Sequence, residues 1–254
     1  MIPSAADLLL IAGRGGSTRE RNAGQIIAAL QADRGRNGLD RPHRLAHYLA
    51  QLGHESGRWL YDEEVWGPTS AQRRYEGRRD LGNTQPGDGK RFKGRGPIQV
   101  TGRSNYRQFT AWVRQFFPRA PNFESEPDAI LLDPWEGMAP IWYWSTRNLN
   151  RYADENLIGN ITKIINGGYN GYDDRLAQYT RAALVLLKRN PNDVRGFQKS
   201  AGLVDDGIAG EMTRDALHKA LRRLDRQPSP KSATGFLARL RAWWGSVTSM
   251  IHNT

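Results

Sequence analysis

The sequence has no cysteine among its 254 residues and only 4 methionines. Without thiols there is no disulfide framework and no thiolate metal site, which fits synthesis in a reducing compartment. No apolar run approaches the roughly 18 residues needed to span a bilayer. The first residues carry no basic patch, and Leu8-Leu9-Leu10-Ile11-Ala12 is too short for the apolar part of a secretory leader. Acidic residues are in deficit. Asp+Glu number 26 against 37 Lys+Arg, a net charge of +11. Such a chain is drawn to polyanions, whether nucleic acid, anionic lipid or an anionic bacterial wall. The excess is densest over residues 185–254, with 12 basic and 6 acidic side chains. No recognised nucleic-acid-binding motif accompanies the charge, so no nucleic-acid partner is expected.

What is present supports a folded chain. Apolar residues make up 38% and charged residues 25%, values of an ordinary globular core. The 8 Trp and 9 Tyr can pack that core or stack on flat ligand faces. Leu45, Tyr48, Leu49 and Leu52 recur at helical spacing behind Asp40, a possible cap, and Pro42, which suits a first turn. The spacing predicts a helix over 40–56 that ends near Glu55. A short helix is expected over 25–30, and others over 105–117, 134–148, 155–165 and 172–188. Residues 57–106 are rich in Gly, Arg and turn residues and read as loop with short strands. The fold class expected is mainly α, with a loop-rich insert lining a cleft.

The domain boundaries follow the same cues. Residues 1–188 read as one helical domain. Asn190-Pro191-Asn192 breaks the chain, and 189–224 forms a small helical module. A Pro/Ser/Lys-rich linker is expected over 225–235 and an amphipathic helix over 236–254. Trp243 and Trp244 lie on that helix's apolar face, opposite Arg239 and Arg241. Such a helix can pack on the protein body or press on anionic membrane.

Two carboxyl groups flanking a bond are what glycosidic hydrolysis needs, one protonated and one ionised. Glu55, at a helix end, and Glu63 and Glu64, one short segment later, are the candidates. Spacing alone leaves them equally readable as solvated surface charges. His54-Glu55 lacks the second His of the zinc-protease pattern, and the Gly-rich 82–96 run lacks the phosphate-loop spacing. No metal or organic cofactor is expected.

Several separated segments add weight, in this order along the chain: His54-Glu55-Ser56-Gly57; Tyr75-Glu76-Gly77-Arg78; Gly82-Asn83-Thr84-Gln85-Pro86-Gly87-Asp88-Gly89; Phe92-Lys93-Gly94-Arg95-Gly96-Pro97-Ile98-Gln99-Val100-Thr101-Gly102 with Asn105-Tyr106; and Ile165-Asn166-Gly167-Gly168. Over about residues 42–188 the chain resembles the family 19 glycoside hydrolases, a chitinase-like group that includes many bacteriophage endolysins. The resemblance implies a lysozyme-like α-helical catalytic domain and an inverting reaction. It implies Glu55 as catalytic acid and Glu64 as base, with Glu63 as the alternative base. It implies cleft positions at Gln99, Thr101, Asn105, Tyr106 and Asn166. Inversion needs the carboxyl groups roughly 6.5–9.5 Å apart. A donor that keeps its proton near neutrality should sit in a desolvated or negatively biased spot. Glu76 is expected to pair with Arg78 or Arg95 as a structural carboxylate.

Val194-Arg195-Gly196-Phe197-Gln198-Lys199, Gly202-Leu203, Asp206-Gly207-Ile208-Ala209-Gly210, Thr213 and Ala216-Leu217 resemble the small peptidoglycan-binding module of wall hydrolases. Phe197, Gln198, Asp206 and Gly207 would then be its wall-binding residues. The combined resemblance implies an endolysin whose partner is bacterial peptidoglycan. It would be a monomer held in the host bacterial cytoplasm until release to the periplasm or cell wall. A chitinase on the same fold, or a wall-binding protein without activity, are the other readings.

Overall fold

A computed structural model describes residues 2–225; the expected amphipathic helix over 236–254 and all but the first residue of the expected linker lie outside the described residues. The architecture is mainly α, as expected. The chain opens with α1 (Ala5–Ala12), whose Ser4 side chain accepts from Asp7 N–H while Asp7 reaches back to Ser4 N–H. This reciprocal capping box satisfies two of the orphan donors at a helix start. Then come α2 (Ser17–Asp33), longer than the short helix expected there, and α3 (Pro42–Glu55). Pro42 occupies the first turn of α3 as expected. The cap is Arg41 and makes no side-chain bond, so Asp40 does not serve as one.

Between α3 and α6 (Arg103–Val113) the chain makes only α4 (Ser70–Arg73), a 3-10 turn at Arg79–Leu81 and α5 (Asp88–Arg91). The short strands expected here are reduced to two bridges, Glu63 with Arg95 and Arg95 with Val100. A 3-10 turn at Pro127–Leu131 precedes α7 (Trp135–Thr146). α8 (Asn150–Asp154) is a short helix in the gap between those expected over 134–148 and 155–165, and α9 (Ile158–Asn166) is the latter, begun three residues late. The break between α8 and α9 falls where Asn156 takes a left-handed φ of 60°. After α10 (Tyr172–Leu186) come α11 (Val194–Ser200) and α12 (Glu211–Asp225).

The central packing is α3 against α10, with α1, α2 and α12 around them. Leu45, Leu49 and Leu52 of α3 and Ala182, Ala183 and Leu186 of α10 are all buried. Removing one such leucine side chain costs about 2–5 kcal/mol. Leu217 and Leu221 of α12, with Phe197 of α11, join this same core. The last two helices therefore share apolar contacts with the larger body. The α3–α10 pair presents the C-terminal end of α3, with Glu55, beside the start of α10.

Candidate active site

Glu55 closes α3, and Gln51 sits one turn earlier on the same face. Across from them lies Arg175 of α10, fully buried. Its Nη2 donates to Glu55 Oε1 and its Nη1 to Gln51 Oε1, each at 2.5 Å. The Glu55 side chain is 25% exposed, so the carboxyl group faces open space on one side. Of the desolvated or negatively biased setting expected for the acid, the negative bias is corrected here, because the group on its Oε1 is a cation. His54 turns the other way, with Nδ1 2.8 Å from Asp174 Oδ2. Arg58 donates to the other oxygen of Asp174 at 2.9 Å. Together His54, Arg58 and Arg175 tie both ends of the glutamate's short segment to the first turns of α10.

The chain then makes an uncommon turn. Gly57, Arg58 and Trp59 take φ of 59°, 59° and 65°, three successive left-handed residues. For a non-glycine residue this costs of order 1–3 kcal/mol and persists only where the surroundings impose it. Trp59 supplies the constraint. It is fully buried, its Nε1 donates to Leu8 O at 2.9 Å, and its carbonyl accepts from Asn22 Nδ2 at 3.1 Å. The turn reverses the chain and delivers Glu63 and Glu64 to the loop-rich side.

Glu64 is held by donors alone. Its Oε1 accepts from Gln72 Nε2 at 3.0 Å and from the Tyr75 hydroxyl at 3.4 Å. Its Oε2 accepts from Gly94 N–H at 3.1 Å, while Glu64 N–H donates to Gly94 O at 2.8 Å. Glu63 points elsewhere and pairs with Lys93 Nζ at 2.9 Å. The adjacent glutamates are thus separated by environment. One is cradled by neutral donors, and the other is neutralised on the surface.

Gly94 brings the expected cleft residues to Glu64. A Cβ on it would stand 2.5 Å from Gln99 Oε1 and 3.2 Å from Thr101 Oγ1, so a side chain here would displace the Gln99 amide. Gln99 itself is left-handed, at φ 54°. Its Nε2 donates to Gly96 O, and Thr101 Oγ1 donates to Gln99 O. Asn105 Nδ2 donates to Thr101 O at 2.7 Å. Glu64, Gln99, Thr101 and Asn105 therefore form one cluster. Asn166 is exposed at the end of α9.

Tyr106 is fully buried, with its hydroxyl bonded to Arg95 Nη1 and Lys93 O. The expectation that it lines the cleft is corrected, since it braces the loop from behind. Glu76 is structural, but its partners are the N–H groups of Gly87 and Gly89 at 2.6 and 2.8 Å rather than an arginine. Arg78 pairs with Asp80, and Arg95 with Asp128. In the small module, Phe197 and Gln198 are buried. Gln198 Nε2 donates to Asp206, Ile208 O and Thr213, and its Oε1 accepts from Gly207 N–H. Gln198 thus organises the 205–208 turn, which corrects the expectation that Phe197 and Gln198 meet a ligand. Asp206 stays exposed.

Sequence reasoning passed over Arg175, Gln51, Arg58, Asp174, Gln72 and the Tyr75 hydroxyl. Only Gln51 left a local signal, four residues before Glu55 on one helix face. The rest depend on contacts between distant segments.

No family model matches the chain. A glycosyl hydrolase family 19 domain-containing protein of Haemophilus influenzae is 32% identical over 187 residues, spanning 63% of this chain and 88% of that protein. An Arabidopsis thaliana endochitinase is 29% identical over 143 residues, and there the chain spans 46% of the relative's length. Among solved structures, chitinase C of Streptomyces griseus matches with a TM-score of 0.55 at 22% identity, covering 74% of this chain and 78% of that one. A bacterial family 19 chitinase matches with a TM-score of 0.56 at 21% identity, covering 75% and 97%. These two likenesses show the lysozyme-like helical fold. The Haemophilus influenzae relative establishes that the chain belongs to glycosyl hydrolase family 19.

Proposed function

We propose that this glycoside hydrolase cuts the β-1,4-linked amino-sugar backbone of bacterial peptidoglycan as an endolysin, with Glu55 as general acid and Glu64 as general base. The observation that carries the reading is the pair of separately oriented glutamates joined by the left-handed turn at 57–59. Arg175 occupies Glu55 Oε1, so the proton to be donated belongs on Oε2. The Glu64 carboxyl group accepts three hydrogen bonds and donates none, as an ionised carboxylate does. It takes a proton from water as that water attacks the sugar carbon, while Glu55 protonates the departing glycosidic oxygen. The water's oxygen ends on the anomeric carbon with inverted configuration. Thr101 and Gln99, beside Glu64, are placed to orient that water and the acetamido group. Asn166 serves as a more distant sugar contact.

The wall reading draws on the net charge of +11 and on the α11–α12 module. Its role in host lysis implies a stay in the bacterial cytoplasm and passage to the wall through a separate membrane-permeabilising protein. A second reading, hydrolysis of chitin, draws on the endochitinase relatives. Digestion of purified peptidoglycan and of soluble chitin oligomers, with new reducing ends and product masses read out, separates the two. Release of disaccharide-peptides supports the wall enzyme. Intact peptidoglycan beside cleaved chitin oligomers replaces it with the chitinase. Cleavage of neither leaves a wall-binding protein without activity.

A further inference from the structure

At the seam between the larger body and the last two helices, α9, α10 and the first turn of α12 enclose a cavity of about 350 Å³. Asn156, Gly159, Asn160, Tyr172, Glu211 and Arg214 line it. That is the lower end of the roughly 300–1,000 Å³ range of ligand sites, enough for one sugar ring. Tyr169 lies beside two of the lining residues, Gly159 and Tyr172. The Tyr169 ring is 5.7 Å from that of Tyr172 and set at 75° to it. A Cβ on Gly159 would lie 3.6 Å from Tyr169 and 3.5 Å from the Tyr172 hydroxyl, so both rings overhang a glycine. Tyr169 is nevertheless 60% exposed. An aromatic ring held in place by a neighbouring ring, yet left open on one side, is what a stacking surface requires.

Three polar groups around the cavity are unspent. The Asn160 amide, the Tyr172 hydroxyl and the Glu211 carboxylate have no hydrogen bond or ion pair among the described residues. Asn156 is committed, its Nδ2 to Asp215 at 2.6 Å and its side chain also to His47. Arg214 donates to Ala209 O. With Glu211 and Asp215 facing Arg214, the cavity has no positive excess and does not suit a polyanion. Amide, hydroxyl and carboxylate groups beside an open aromatic face suit a neutral polyhydroxylated ring bearing an amide.

Position ties the cavity to the cleft. Tyr169 belongs to the 167–171 loop that follows Asn166. At the far end of this loop, Gly171 packs so closely on the His54 ring that a Cβ would lie 2.0 Å from it. Arg175, which holds Glu55, also donates to Asn170 O at 3.5 Å. The loop therefore runs from the catalytic acid's neighbourhood to the seam.

We propose that this cavity is an accessory saccharide site, in which Tyr169 stacks on an N-acetylhexosamine unit of the polymer being cut while Asn160, Tyr172 and Glu211 bind its hydroxyl and acetamido groups. The inference rests on the amino-sugar polymer reading above. It makes the α11–α12 module part of the polymer grip through the N-terminal turn of α12.

The test uses the full chain carrying Tyr169→Ala, Tyr169→Phe or Glu211→Gln, with thermal unfolding as a control for folding. Hydrolysis is followed on insoluble peptidoglycan and on short and long soluble N-acetylglucosamine oligomers. Equilibrium binding to the same materials is read in a Glu64→Gln background. The site predicts roughly tenfold weaker binding of polymer and long oligomers by Tyr169→Ala. KM should rise correspondingly, kcat on the short oligomers should be unchanged, and Tyr169→Phe should restore binding. Equal binding by Tyr169→Ala and the parent chain overturns the inference even if the parent is an active glycosidase. Should the parent cut neither polymer, the hydrolase assignment to these polymers fails, and the Tyr169 dependence of binding still decides the site. The peptidoglycan and chitin arms show which polymer supplies the sugar.

Discussion

Arg175, with no solvent exposure, donates to Glu55 Oε1 at 2.5 Å and orients the proposed proton donor from beneath. Replacing Arg175 with Ala is expected to lower kcat about 10²-fold, since small displacements of a reacting group are costly. KM should change little. Gln51 Oε1 loses its donor, which costs about 1–3 kcal/mol of stability. Arg175→Lys should recover only part of either loss, because an ammonium cannot present the planar fork that serves Gln51 and Glu55 together. Steady-state kinetics and thermal unfolding check both effects.

The left-handed turn between the glutamates is the second target. At Gly57, with φ 59°, an added Cβ would stand 2.8 Å from the Tyr61 ring. Gly57→Ala therefore meets both backbone strain and a clash, and should cost about 1–3 kcal/mol. Trp59→Phe removes the donor to Leu8 O and should cost a similar amount. Both variants should lose kcat on soluble oligomers, because the turn sets where Glu64 sits relative to Glu55. Wild-type kcat in a destabilised Gly57→Ala chain would show that the turn does not position the pair.

Stability should fall on both sides of neutrality, for different reasons. His47 is held down to about 3, first by burial and then by the charge of His218, and His218 to about 4, first by burial and then by the charge of His43. The His47 ring faces Tyr179 and Asn156, and the His218 ring faces His43, Asp154, Asp215 and Arg222, at the α3–α10–α12 junction. Below pH 6.5 the unfolded imidazoles bind protons that the folded ones refuse, so stability is lost as pH falls from about 6.5 toward 4. Glu136 is pushed up to about 8, first by burial and then by Asp62. Its contribution is fully present below about 4.5 and is lost as pH rises through 8. Thermal unfolding across this span should show a flatter acid limb for His47→Leu and a flatter alkaline limb for Glu136→Gln.

Gln198 links four groups of the small module. Gln198→Leu should strand their partners and destabilise the 205–208 turn by about 1–3 kcal/mol. Hydrogen exchange should rise over 194–213, while kcat on short soluble oligomers stays close to that of the parent chain.

The sequence carried the scaffold better than the site. α3 was legible because Pro42 and four apolar residues at helical spacing agree with its burial against α10. α1 was passed over because its apolar run is short, although Ser4 and Asp7 form a capping box. α8 escaped because five residues are too few for a helical repeat of apolar side chains to show. Motif resemblance placed Gln99, Thr101 and Asn105 around Glu64. Tyr106, Phe197 and Gln198 share those motifs yet are buried, since a motif residue that builds a loop reads the same as one that meets a ligand. Arg175 and Asp174 were invisible because they meet Glu55 and His54 from 120 residues away.

The two-glutamate assignment is tested most directly by hydrolysis rates of Glu55→Gln, Glu64→Gln and Glu63→Gln on the polymer the parent chain cuts, each variant first shown to be folded. Glu55→Gln and Glu64→Gln should each lose several orders of magnitude, and Glu63→Gln, which gives up only a surface pair with Lys93, should stay within a few-fold of the parent. Collapse of Glu63→Gln with an active Glu64→Gln would contradict the assignment of the base, and activity in Glu55→Gln would contradict that of the acid.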